Sequence, residues 1–205
     1  MTRLKLLELL SLIVQDADTR EMEDIFKQEP KLSYSLLRLV NTAALSGHGH
    51  VESFVQAINL MGRKQLQRWL QLLIYADPNN GQGPTPLLKQ AACRGRIMEL
   101  LQEKLPAEAR NPGDAAFMVG TFSLLDVLLS LPITEVVGQL PLAPAVKDAL
   151  TLHEGPLGKL LMAIDMAERR DLQGASHSLA ALGINPETYL DVQLNALSWA
   201  SRLDG

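Results

Sequence analysis

Four histidines and one cysteine are the most reactive side chains in this sequence, and their spacing permits little chemistry. His48 and His50 form an H-x-H pair in the turn SGHGH. Two imidazoles so placed can share a metal, but no Cys, Asp or third His stands beside them to complete a site, so a solvated turn is expected. Cys93 falls in a helical stretch without a local His partner, where a buried free thiol behaves as a small hydrophobe. Asp165 and Glu168, at i and i+3, share a helix face and could hold a cation. With Arg169 and Arg170 adjacent, a solvated charged face is the expected outcome. Arg63, Lys64 and Arg68 are a basic run too short for a nucleic-acid stripe. The sequence holds no nucleophile elbow, no phosphate-binding glycine loop, no H-E-x-x-H and no dinucleotide fingerprint.

The composition points the same way. A net charge of −4 lowers the prospect of non-specific nucleic-acid binding, which needs a basic surplus to displace counterions. The hydrophobic share of 47% is too high for a disordered chain, and aromatics at 4% leave the core to Leu, Ala, Val, Ile and Met, which favours helix over sheet. A single cysteine excludes an internal disulfide framework and fits a reducing compartment. No apolar run approaches the roughly 20 residues of a membrane span. Glu8 interrupts the only leader-like stretch, so a cytoplasmic protein is expected.

The elements that must position any site are helices throughout. Leu6, Leu9, Leu10 and Ile13 make the stripe of a first helix. Asp18 and Glu21 are spaced as a capping box for a short second one, and Leu32, Leu36, Leu39, Val40 and Ala43 line a third. Ser53 and Gln56 open a fourth that Gly62 ends, and Leu66, Trp69, Leu70 and Leu73 mark a fifth. The breaker-rich segment 77–86 is the expected linker between an N-terminal lobe, 1–76, and a C-terminal lobe, 87–205. Thr85 and Pro86 cap a long helix to about Leu105, and Asn111 and Pro112 cap one running unbroken until Pro132. Helices near 134–139, 145–152, 157–170, 174–182 and 186–203 follow, the last capped by Asn185 and Pro186.

One stretch carries more. Pro30, Leu32, Ser33, Leu36, Leu37, Arg38, Asn41 and Thr42, followed by Ser53, Gln56, Ala57, Ile58 and Gly62, resemble the pattern of the HD-related output domain, HDOD. Glu29 and Phe54 are mild departures. The resemblance implies an all-α, multi-helix bundle in two lobes, the second a degenerate HD-type lobe. Active HD-type phosphohydrolases place a His on one helix, a His-Asp pair on the next and an Asp later, which together bind metal and activate water. At the corresponding positions this sequence has Gln90 for the first His and Ser123-Leu124 for the His-Asp pair. His153 and Asp165 match outer positions, and Asp126 is the acid nearest the replaced pair. Neutral Gln and Ser are poor ligands without charged companions, and Leu is none.

The wording of the second half, FMVGTFSLLDVLLSLPITEVV and HEGPLGKLLMAIDMAE, is similar to the HDOD branch that follows an EAL-type cyclic-di-GMP phosphodiesterase domain. No EAL signature is present, so a piece of a longer protein is expected, with a free-standing homologue as the alternative. The reading is a bacterial signal-transduction domain with no catalytic residue, metal or cofactor, acting by protein–protein or interdomain interaction. Its partner would be another protein or the EAL-type domain of the same polypeptide, with neither nucleic acid nor membrane expected. Arg38, Asn41, Arg63, Arg68 and Trp69 are the candidate contacts, since Arg and Trp dominate binding hot spots. The alternatives are a residual metal-dependent phosphohydrolase on His153 and Asp165, and a nucleotide-binding regulatory module in the altered HD pocket.

Overall fold

The computed structural model describes residues 3–15, 18, 21–22, 34, 36–37, 41, 56, 62–76, 85–111 and 113–204. Every regular element among them is helical. The chain divides into two compact units. Unit 1 comprises Met1–Lys89 with Gln139–Pro141 and Ser201–Gly205, and unit 2 comprises Gln90–Gly138 with Leu142–Ala200. Most of the expected linker, 77–84, lies outside the described residues, as do the H-x-H turn and most of the third and fourth expected helices.

In unit 1, α1 (Arg3–Val14) packs against α2 (Arg63–Leu73). The stripe Leu66, Trp69, Leu70 and Leu73 is buried as its spacing requires. Gly62 sits at the N-cap of α2 with φ 77°, a left-handed position that glycine adopts without strain. The entry into the next helix is tied by Thr85. Its hydroxyl donates to the carbonyl of Tyr75 at 2.9 Å and accepts from the amide of Leu88 at 3.0 Å, the N-cap bond its sequence position predicts.

That helix, α3 (Pro86–Gln102), leads into unit 2, where α4 (Gly113–Phe122) and α5 (Leu125–Leu129) follow. The sequence predicts one helix here; two form, because the chain turns at Ser123. The Ser123 hydroxyl donates to the Gly120 carbonyl at 2.7 Å, closing α4, and the Leu128 amide reaches the Leu124 carbonyl at 3.1 Å to begin α5. Next come α6 (Ile133–Gly138), α7 (Pro144–Leu152), α8 (Gly155–Glu168), α9 (Leu172–Ala180) and α10 (Pro186–Ser201). Helix α8 is the hub, packing against α7, α9 and α4. Its Leu157, Leu160, Leu161 and Ile164 are all buried. The Asn185 side chain accepts from the Thr188 amide at 2.8 Å, as expected for the cap of α10. Phe117 and Trp199 meet edge to face at 6.0 Å, joining α4 to α10.

Candidate functional site

Two glycines bring the site together. A Cβ on Gly120 would stand 2.5 Å from the Arg94 carbonyl oxygen and 2.8 Å from the Gly95 Cα, and one on Gly95 would stand 2.7 Å from the Thr121 hydroxyl. Helices α3 and α4 therefore cross nearly backbone to backbone, and Arg94 arrives beside Ser123 at the end of α4. Gln90 lies one turn before Arg94 on the same face of α3. A third glycine sets the far edge. Gly158, in the first turn of α8, leaves no room for a side chain against the backbone of His153, which closes α7 in the left-handed conformation at φ 54°. His153 is thereby held at the mouth of the cluster.

The centre is the guanidinium of Arg94, a residue only 7% exposed. Its Nε donates to Glu168 Oε1 at 2.9 Å and its Nη2 to Glu168 Oε2 at 2.6 Å, a two-point grip on one carboxylate. The same Nη2 donates to Asp165 Oδ1 at 2.7 Å, and Nη1 donates to the Ser123 hydroxyl at 2.8 Å. Gln90 adds a bond from Nε2 to Glu168 Oε2 at 3.2 Å. His153 Nε2 stands 3.4 Å from Asp165 Oδ2, a long and exposed pairing of little energetic weight. Helices α3 and α8 and the end of α4 are thus pinned to one cation.

The electrostatics follow from burial and charge. Burial works to lower the pKa of Arg94, but the hydrogen bond and charge of Glu168, with those of Asp165, outweigh it and hold the guanidinium above its ordinary value. Burial, and then the Glu168 carboxylate, pushes the Cys93 thiol up to about 11. Tyr189 is pushed up to about 12, by burial first and then by Glu168 and Cys93, against a lowering pull from Arg94. Neither side chain is activated as a nucleophile at neutral pH.

The predicted positions fare unequally. Gln90, Ser123, His153 and Asp165 do converge. Leu124 turns into the core at 6% exposure, and Asp126 accepts from the neighbouring Val127 amide. Two corrections follow. Asp165 and Glu168 keep contact with water as expected, but the cation that balances them is not Arg169 or Arg170; it is Arg94, more than seventy positions earlier. Trp69 is 2% exposed, a core residue of unit 1 rather than a contact on its surface, because the apolar stripe of α2 needs its bulk. Arg38 and the side chain of Arg63 lie outside the described residues, while Asn41 and Arg68 are half-buried in unit 1.

Sequence reasoning passed over Arg94 itself. The available signal was a pair of cations, Arg94 and Arg96, set in the otherwise apolar run AACRGRIM, the first of them one turn beyond Gln90.

The residues do not fit the metal of an HD-type centre. The Asp165 carboxylate would have to be released from Arg94, the Gln90 amide and Ser123 hydroxyl are already engaged, and Leu124 offers no donor. Among the described residues no three His, Cys, Asp or Glu are grouped to hold a metal ion, and no helix is long and apolar enough to cross a membrane.

The HDOD domain family matches residues 4–125. Over 189 residues, or 92% of its length, the chain is 32% identical to the cyclic di-GMP phosphodiesterase CdgJ of Vibrio cholerae. It is 28% identical over 194 residues to the uncharacterised protein YuxH of Bacillus subtilis. These alignments take in 43% and 46% of the relatives' own lengths, so the chain spans less than half of each. No solved structure matches.

Proposed function

Since the chain belongs to the HDOD family, we propose that it is a non-catalytic signal-transduction domain, acting by protein–protein or interdomain contact and coupled to a cyclic-di-GMP domain of the EAL type. The observation that carries the reading is the Arg94 grip. The neighbouring carboxylates of this cluster, Asp165 and Glu168, are both engaged by one internal guanidinium at 2.6–2.9 Å. What hydrolysis at this position would require, a metal with an open coordination place and a water on it, competes with a charge fixed to α3 and held by four hydrogen bonds. Similarity to a cyclic di-GMP phosphodiesterase supplies the signalling context. Because the alignment covers less than half of that relative, its activity can reside in the portion that this chain does not match.

The test has two arms. This chain alone, incubated with cyclic di-GMP and Mg²⁺ or Mn²⁺, is expected to give no turnover. Added to a separately expressed EAL-type phosphodiesterase domain, it is expected to bind that domain and change its rate. Turnover by the isolated chain that disappears in Asp165→Asn would establish the phosphohydrolase reading instead. Absence of any effect on the EAL-type domain would remove the coupling.

A further inference from the structure

Helix α10 buries Val192, Ala196 and Ala200 against its own unit, yet leaves three leucines in solvent. Leu190, Leu194 and Leu197 are 55%, 57% and 57% exposed. At about 100° of rotation per residue they fall within an arc of about 60°, turned well away from the buried face. Spacings of four and then three are those of an interhelical seam, not of scattered surface residues. The stripe also opens on a hollow of 220 Å³ lined by Leu172, Leu179, Ile184, Tyr189 and Leu190, with Leu172 itself 69% exposed. A continuous apolar patch of this kind marks a contact surface.

We propose that this face pairs with a second copy of the chain, α10 against α10, antiparallel and centred on Leu194. The pattern is self-complementary about that residue. With Leu194 opposite its own equivalent, Leu190 falls beside Leu197 of the other copy, and Leu197 in turn reaches the mouth of the other copy's hollow. Charge selects the direction. Glu187 and Asp191, both exposed, lie on one flank of the stripe near the start of α10, and Arg202, the residue immediately after α10, continues that flank. In an antiparallel pair like flanks face each other, so Glu187 stands opposite Arg202 of the other copy, twice over by symmetry. A parallel pair would set this flank against the opposite one, which carries Pro186 and Gln193, and would leave Glu187 without Arg202 as a partner. The hollow lies on the other flank, away from the charges.

Sedimentation equilibrium of the intact chain from micromolar to near-millimolar concentration tests this. The expected result is a reversible monomer–dimer equilibrium. Leu194→Glu should leave only monomer, with an unchanged circular dichroism spectrum because the site is exposed. Glu187→Arg should weaken association at least about fivefold, and the exchange Glu187→Arg with Arg202→Glu should restore it. A 22.5 kDa monomer throughout the range would overturn the pairing and give the patch to a different occupant. A dimer that survives Leu194→Glu, or that ignores both charge variants, would overturn it equally.

Discussion

Arg94 is the residue on which most of unit 2's polar organisation turns, and its replacement is the sharpest single-residue test. Arg94→Ala removes four hydrogen bonds at once and leaves Asp165 and Glu168 without the cation they share. Because both carboxylates keep some contact with water, the loss is smaller than for a fully buried pair, about 2–3 kcal/mol. The midpoint of urea unfolding measures it. Arg94→Lys should recover less than half, since an ammonium cannot reproduce the two-point grip on Glu168. The acidic half of this cluster was legible in the sequence: Asp165 and Glu168 share a face by spacing alone. Its cation was not, because local charge arithmetic offered Arg169 and Arg170, and only the fold brings α3 beside α8.

At the scale of elements, close approach of α3 and α4 is the device that places Arg94 beside Ser123. Gly120→Ala must push α4 away from the Arg94 backbone, at a cost of about 1–3 kcal/mol, whereas Gly138→Ala, with open space around it, should be neutral or stabilising by up to ~1 kcal/mol. Comparing the two variants by thermal unfolding separates a steric effect from a general preference for alanine in helices. Helix positions themselves were readable, since apolar periodicity and the caps at Thr85 and Asn185 depend on neighbours within a few residues. The break at Ser123 was not, because nothing in TFSLLDVLLS forbids a continuous helix. The turn exists where a hydroxyl closes α4 and simultaneously accepts from Arg94. The burial of Trp69 was undecidable for a related reason: a residue on an apolar stripe can equally be core or anchor.

For the molecule as a whole, the folded state holds two protons more firmly than the unfolded chain does. The Cys93 thiol rises from 9.0 to about 11, and the Tyr189 hydroxyl from 10.0 to about 12. Both groups are neutral when protonated and have raised folded values. Their contribution is therefore complete below pH 9 and declines as the pH climbs from about 9 towards 12. Urea midpoints should be level on the neutral side of that window and fall steadily within it. Cys93→Ala should flatten the first part of the fall. A further consequence follows from the guanidinium that closes the Asp165–Glu168 pair. A domain built around a nutrient ion unfolds or falls silent when that ion is scarce, and so reports on supply as well as on its intended signal. Around Asp165 and Glu168 the counter-charge belongs to the covalent chain itself, so chelators are expected to leave the melting of unit 2 unmoved.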